Sequence, residues 1–369
     1  MRVVREAVTQ LEQQLASRLG VSGGVAAGFG RSALALALEA LEVRGGEVLV
    51  PDFICAQVPE AVRRAGGRPV FYPVRRDLTV DSGEFAARLS PAARAAIAAH
   101  YFGRPLPEVE QLAALCRERR VPLIENCALA LEASLFGRRA GRSGEIAVFS
   151  FTKSGWCYGG GMATSNAAEL LARMRAVREE KFRVWPSLSF RYGLLRQADF
   201  AANRPSRSRL AEHTGRWLER WSGLRGGNFY DAGRFDAALP EFAARRARRL
   251  LGDIPAATAR RQQIMRLLAA SLDDGPKILF RPQLDGADAA SFLLLECPSG
   301  RAEPWVENAA RGGVTLRRCW PAYQPMENEQ SSEDLGWLAD HLLVLEIHPL
   351  LSDSEVKRIA QTLGRLAAE

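Results

Sequence analysis

The chain has 369 residues, 47% of them hydrophobic, with 50 Lys and Arg against 42 Asp and Glu and a net charge of +8. That length accommodates roughly two or three domains and a sizeable core, and no apolar run approaches the ~18 residues of a membrane span. Six cysteines, at 55, 116, 127, 157, 297 and 319, follow no metal or disulfide spacing, which predicts reduced thiols in a cytoplasmic protein.

The N-terminal stretch MRVVREAVTQLEQQLASRLG is charged throughout and lacks the apolar core of a signal peptide, so it reads as an amphipathic helix. Next, Gly28-Phe29-Gly30-Arg31 reads as a turn, and SALALALEALEV as a buried helix starting near Arg31 or Ser32. A Gly-rich turn feeding a helix start suits a phosphate, because free N–H groups and the helix dipole face the anion. Arg31 would add a charge-assisted contact or stand as a solvated helix-start arginine. A dinucleotide fingerprint fits less well, since no third glycine follows at the required spacing.

Residues 47–50 form a strand that Pro51 ends, followed by a helix over 57–65, the strand RPVFYPV, a helix near 83–88, and the strand ARAAIAAHYFG, ending at His100. PLPEVEQLAALCRERR is a helix, and VPLIE and EIAVFSF are strands. Alternation at roughly 20–25-residue intervals predicts an α/β sheet covered on both faces. Ligands in such sheets sit at the carboxyl ends of strands, which gathers Asp52 to Cys55, His100, Asn126 and Ser150 to Lys153 around one crevice. A lysine just past a buried strand and beside a Gly-rich turn can lose its charge by desolvation and become a nucleophilic amine. With a polar residue at the end of the neighbouring strand as partner for a ring nitrogen, that is what a pyridoxal phosphate (PLP) enzyme requires.

From about 166 helices dominate, and WPSLSFRYGLLRQADFAANRPSRSR reads as an irregular excursion. A long helix is predicted over about 240–272, then strands in SFLLLEC, VTLRRCW and HLLVLEIH, then a last helix in DSEVKRIAQTLGRLAAE capped by Ser352 or Asp353. The division is a large α/β domain over 1–245 and a smaller α+β domain over 246–369. The arginines of EFAARRARRLL and AATARRQQIM read as solvated helical faces, with attraction to a nucleotide or phosphate ester as the sharper alternative. There is no nucleic-acid motif. Glu125 reads as a structural residue holding backbone at its strand end, His100 as a hydrogen-bonded core histidine, and Cys127 and Cys157 as packing. Trp156 and Tyr158 either line a substrate mouth or pack.

The ordered series GRSALALALEAL, GGEVLVPDFICAQVPEAVRRAGGRPVFYPV, AAHYFGRPLPEVEQLAALCRERRVPLIEN and GEIAVFSFTKSGWCYGGGMATS resembles the DegT/DnrJ/StrS family of sugar aminotransferases, as does the closing HLLVLEIHPLLSDSEVKRIAQTL. The resemblance covers most of the chain and weakens between about 180 and 235. It implies the aspartate-aminotransferase fold (PLP-dependent fold type I), with a large mixed-sheet domain and a small C-terminal α+β domain. It also implies a cytoplasmic homodimer that uses PLP, takes an amino acid as donor and serves a sugar nucleotide, of the kind that feeds polysaccharide biosynthesis. Neither nucleic acid, membrane nor metal is implied.

By position, Lys153 falls on the family's cofactor-bearing lysine, and Gly30, Arg31, Ser32 and Ala33 on the turn whose amides hold the cofactor phosphate. Ser150 falls on a phosphate-contacting hydroxyl, and Trp320 and Tyr323 where the small domain approaches the site. The remaining matches are departures. Asn126 stands where an aspartate binds the pyridine nitrogen, Cys55 where an aromatic residue covers the ring, Leu129 where a Gln or His packs, and Asp236 where a partner subunit's Asn reaches the phosphate. These departures leave room for a PLP-dependent sugar dehydratase, or for a drifted, non-enzymatic member, beside the leading reading of an aminotransferase.

Overall fold

The computed structural model describes residues 6–135, 137–155, 157–202, 234–272, 277–278, 291–320 and 332–368. An N-terminal helix, α1 (Glu6–Leu19), forms because Ala7, Val8, Leu11, Leu15 and Leu19 repeat at helical spacing and bury one stripe. It leads into β1 (Gly23–Ala27), α2 (Gly30–Ala40), β2 (Glu47–Pro51), α3 (Gln57–Arg64), β3 (Arg68–Tyr72), α4 (Ser82–Ala87), β4 (Ala93–Ala99), α5 (Val109–Glu118) and β5 (Leu123–Cys127). A small hairpin of β6 (Ser134–Leu135) and β7 (Arg138–Arg139) precedes β8 (Ile146–Ser150), the single turn α6 (Phe151–Ser154), β9 (Gly161–Ser165) and α7 (Ala168–Lys181).

The large sheet runs β1-β9-β8-β5-β4-β2-β3. Its strands are parallel except β9, which is antiparallel to both β1 and β8. Both faces are covered, and successive residues of β8 point to opposite cores. Val148 joins Val25 and Ala163 in one, while Ala147 and Phe149 join Ala26, Met162 and the apolar stripe of α1 in the other.

After β10 (Arg183–Val184) comes α8 (Pro186–Ala202), then β11 (Ala237–Ala238) and the 31-residue α9 (Glu241–Ser271). At 1.5 Å per residue α9 is about 46 Å long. Its first half buries Ala243, Ala247, Leu251 and Ile254 against α1, and its second half buries Ile264, Met265 and Leu268 in a separate core. The 245/246 division therefore falls inside one continuous helix. The second core lies under a four-stranded sheet, β12 (Lys277–Ile278), β13 (Phe292–Glu296), β15 (Leu342–Glu346) and β14 (Arg317–Arg318), with α10 (Ala302–Arg311), α11 (Glu333–His341) and α12 (Asp353–Ala368). Ser352 caps α12: its backbone N–H donates to Glu355 Oε2 at 2.7 Å, and the Glu355 N–H donates back to the Ser352 hydroxyl at 3.3 Å.

Several expectations are corrected. β1 (GGVAA) and β9 (GMATS) do not announce themselves as strands, because every residue of both is buried and neither alternates polar with apolar. The described part of the supposed irregular excursion, residues 186–202, is helix α8; the rest of that stretch lies outside the described residues. Helices α10 and α11 interrupt what reads in sequence as a succession of strands.

Candidate active site

Register places the chemistry-bearing residues along one edge of the large sheet. Ala27 pairs with Gly161, Gly161 with Ser150, Phe149 with Cys127, and Asn126 with Ala99. The turn at Gly28, the start of α6, Asn126 and His100 thus all lie at the carboxyl ends of the parallel strands, where open α/β sheets bind ligands.

At one end of this edge, α2 starts hard against β8. A Cβ on Gly30 would approach Ser150 Cβ to 2.9 Å, so only glycine allows this approach. The residue before α2, Phe29, offers no side-chain cap. The first-turn N–H groups therefore depend on an outside partner. Among the described residues the buried Ser32 hydroxyl likewise has no hydrogen-bond partner. Ser150 is buried, and its hydroxyl lies 3.1 Å from that of Thr152. The Arg31 Nε donates to the Arg234 carbonyl at 3.1 Å, and its guanidinium sits 4.5 Å from the Phe29 ring centre.

Lys153 stands on α6, half-buried, and among the described residues no hydrogen bond or ion pair engages its amine. The extended Gly155 and the glycines 159 and 160, both at φ +107°, carry the chain away from it into β9. That φ is open to glycine and costly for other residues. Cys319, from the C-terminal half, lies close enough to feel both Lys153 and Cys55. Burial drives its thiol well above the ordinary range, and the Lys153 charge opposes that rise. Cys55 is half-buried, between β2 and α3.

The α6 turn is also held from behind. Arg261 of α9 is 4% exposed, donates to the Ser154 carbonyl at 2.6 Å and reaches the Ile347 carbonyl at 3.3 Å. Burial depresses its pKa, with the Glu346 charge opposing. Its motif reads in sequence as a solvated face, so this is a correction. The signal was its spacing, three residues before the buried Ile264 and seven after the buried Ile254.

Asn126 is half-buried, and its Oδ1 accepts from the Ala128 N–H at 3.2 Å. A backbone N–H can only donate, so the oxygen is fixed on that side and the amide NH2 points the other way. Leu129 is partly buried against the main core. The neighbouring Glu125 is fully buried and saturated. It accepts from the N–H groups of Gly141, Ser143 and Gly144 at 2.6 to 2.9 Å, and from His100 Nε2 at 2.9 Å. His100 Nδ1 accepts from the Leu106 N–H at 2.8 Å, which places the ring proton on Nε2. Burial pushes the Glu125 carboxyl up, but the bonds from His100, Gly144 and Gly141 outweigh it and hold the carboxyl below its usual range. The ligand atoms of His100, Glu125 and Cys127 come within 4.8 Å of one another, yet the His and Glu atoms are spent on each other and on backbone. Burial pushes the Cys157 thiol to about 12 and raises that of Cys127 too, so both behave as packing groups.

The C-terminal half closes over this edge. Trp320 stacks on Phe102 with ring centres 5.5 Å apart and lies 5.0 Å from Phe53. Ser332, the cap of α11, donates to Asp52 Oδ2 at 2.7 Å. Burial raises the Asp52 carboxyl, against the lowering bonds from Ser332 and the Val74 N–H. Asp236 lies beside β11, its carbonyl accepting from the Arg183 N–H at 2.9 Å. Tyr158 packs between Phe190 and Phe242. Trp156 and Tyr323 lie outside the described residues. Cys319, Arg261 and Ser332 are the contributors that the sequence reading missed.

Residues 3–203 match the profile of the DegT/DnrJ/EryC1/StrS aminotransferase family. The chain is 36% identical over 173 residues to a UDP-N-acetyl-3-dehydro-alpha-D-glucosamine 3-aminotransferase of Acidithiobacillus ferrooxidans, a match that covers 46% of this chain and spans only about half, 47%, of that relative. It is 27% identical to a dTDP-4-dehydro-2,3,6-trideoxy-D-glucose 4-aminotransferase of Saccharopolyspora spinosa, over 95% of this chain and 86% of the other. Among solved structures, the aminotransferase TlmJ from Streptoalloteichus hindustanus superposes with a TM-score of 0.75 at 24% identity, over 98% of this chain and 91% of that one. The fold is that of the fold-type I sugar aminotransferases.

Proposed function

Because the chain belongs to the DegT/DnrJ/EryC1/StrS aminotransferase family, we propose that it is a PLP-dependent transaminase that moves an amino group from an amino acid to a nucleotide-linked keto-sugar. The carrying observation is a juxtaposition at one sheet edge. Among the described residues, a half-buried lysine without a partner, an uncapped helix start and a buried, unpartnered hydroxyl stand together. Buried polar groups are rarely left unpaired, and these fit an anionic cofactor with a carbonyl to offer the lysine.

The hydroxyls of Ser32 and Ser150 and the N–H groups of Gly30, Arg31 and Ser32 would hold the phosphate. Cys55 and Leu129 would flank the ring, and the Asn126 amide would donate to its nitrogen. Bound there, the cofactor supplies an electron sink for the substrate carbon that loses its proton. Lys153 would hold the cofactor, and its Nζ, once freed, would carry the proton away from the substrate carbon. The Arg261 bond to the Ser154 carbonyl positions that turn. With this reading go a homodimer and a cytoplasmic setting.

A second reading, a PLP-dependent sugar dehydratase, is favoured by one observation. The outward NH2 of Asn126 is a donor, so it suits a ring nitrogen without a proton and cannot stabilise a charged ring. One experiment addresses both readings. Purified protein mixed with PLP should absorb near the visible edge, and borohydride should fix the cofactor on Lys153, read as a mass increment on its peptide. Adding glutamate should then shift the spectrum. Lys153→Ala should lose the adduct and at least ~10²-fold of turnover while keeping its fold. No adduct on wild type would remove both readings. An adduct with no response to amino acids, but turnover of a sugar nucleotide to a deoxy product, would favour the dehydratase.

A further inference from the structure

The six cysteines divide by burial. Cys116, Cys127, Cys157 and Cys297 are buried, whereas Cys55 and Cys319 are half-buried. These two accessible thiols come from different halves of the molecule: Cys55 follows β2 of the large sheet, and Cys319 follows β14 of the small one. Packing brings the two segments to one spot. Trp320, next to Cys319, packs on Phe53, two residues before Cys55, with ring centres 5.0 Å apart. Ser332 donates to Asp52 Oδ2, at the start of the same segment, at 2.7 Å. Cys319 is near enough to sense both Cys55 and Lys153.

A packing role accounts for the four buried thiols but not for a pair left within reach of solvent. Oxidation follows exposure and thiolate character, and a thiol with a second thiol beside it has a partner to resolve its sulfenic acid. Burial makes Cys319 the more reluctant thiolate of the pair to open the reaction, while the Lys153 charge beside it favours the thiolate. Cys319 therefore suits the second, resolving step, and Cys55 the first.

We propose that Cys55 and Cys319 form an oxidation site, a thiol pair that hydrogen peroxide closes to a disulfide across the junction of the two halves. The Cys55 thiolate attacks the peroxide: an S–O bond forms, the O–O bond breaks, and the hydroxide released takes a proton and leaves as water. The Cys319 sulfur then displaces hydroxide from the sulfenic acid. The S–S bond forms, the S–O bond breaks, and the Cys319 proton leaves with the hydroxide as a second water. The two sulfurs together give up two electrons, and the peroxide takes them. A disulfide holds its Cβ atoms about 3.8 Å apart, so the bond pins the C-terminal half onto the sheet edge beside Lys153. In a reducing compartment a bond of this kind is transient and redox-sensing. Taken with the PLP reading, on which this last step rests, the oxidised site is shut to the cofactor until a thiol reductant reopens it.

The test treats the full chain, stripped of cofactor, with hydrogen peroxide and maps its peptides by mass spectrometry without reduction. A cross-linked peptide joining Cys55 to Cys319 should appear and should vanish on adding dithiothreitol. Cys319→Ser should lose the cross-link and leave on Cys55 a sulfenic acid that dimedone traps, with thermal melting as the check on folding. Absence of the Cys55–Cys319 peptide from folded wild type, or preferential pairing of either residue with another cysteine, overturns the site. The second measurement adds PLP and borohydride to reduced and oxidised wild type. The Lys153 adduct should be lost on oxidation and regained with dithiothreitol; an oxidised chain that loads PLP as the reduced chain does overturns the shutting role. A reduced chain that gives no adduct, with the cross-link present, overturns the cofactor reading and leaves the disulfide standing.

Discussion

Glu125 and Ser32 are both buried polar side chains near the same sheet edge, and they are treated in opposite ways. Glu125 takes four hydrogen bonds, three from backbone N–H groups and one from His100. Ser32 has none among the described residues, and nearby Lys153 is equally unengaged. A saturated carboxylate leaves nothing over for a ligand, and its work is to hold the chain at residues 141–144. An orphan hydroxyl under an uncapped helix start costs stability as it stands, and a bound anion would offset that cost. The difference separates scaffold from site more sharply than residue type does, since carboxylates and histidines are the usual first suspects for catalysis.

The sharpest way to break this contrast is to empty the saturated cluster. Glu125→Ala leaves the N–H groups of Gly141, Ser143 and Gly144 and the proton on His100 Nε2 without an acceptor. The expected loss is about 3–5 kcal/mol in urea unfolding, the range for removing one member of a buried charged cluster. Glu125→Gln should lose less, because its carbonyl oxygen still accepts. The pH dependence has a definite sign. The folded-state pKa of Glu125 lies below its ordinary 4.5. Its contribution is therefore fully present above that value and is lost as pH falls through the folded pKa. An acid-side loss of stability should be present in wild type and shrink in Glu125→Gln. An unchanged acid limb in Glu125→Gln would show that other carboxyls set it.

Much of this contrast could be read before any coordinates. VPLIE and EIAVFSF are short apolar runs that end in polar residues, and they become β5 and β8 because both strands are buried between two cores. The place of Lys153 and Ser150 at the strand end follows from that alone. What stayed hidden depends on contacts distant in the chain. β1 and β9 have weak strand composition and are made strands by pairing with each other and with β8. Arg261 is carried inside because its helix must bury the stripe containing Ile254 and Ile264. Cys319 meets Lys153 across 166 residues of sequence, and no local pattern marks such an approach.

Asn126 lies between the two extremes, half committed to backbone and half open, and a single atom tests which half matters. In Asn126→Asp the oxygen that accepts from Ala128 is retained, while the outward NH2 becomes a second carboxylate oxygen. A negative partner favours a protonated ring nitrogen and so a stronger electron sink. Charge-assisted bonds exceed neutral ones by about 1–2 kcal/mol, which predicts a gain of roughly tenfold in the amino-acid half-reaction by stopped-flow spectroscopy. A rate that does not rise would place the side chain away from the ring, or assign the protein to chemistry that does not need a charged ring.

The smallest effect carries the most information about the unsatisfied side of the contrast. Ser32→Ala removes a hydroxyl that is buried and has no partner among the described residues, so the cofactor-free protein should unfold at the same urea concentration or slightly higher. The same change removes one donor to the phosphate, which should weaken PLP about three- to tenfold, equivalent to ~0.7–1.4 kcal/mol. Stability and affinity must move independently for the hydroxyl to be a ligand contact. If Ser32→Ala instead lowers the stability of the empty protein and leaves PLP affinity alone, the hydroxyl belongs with Glu125, as part of the scaffold, and the phosphate must be held from elsewhere along the edge.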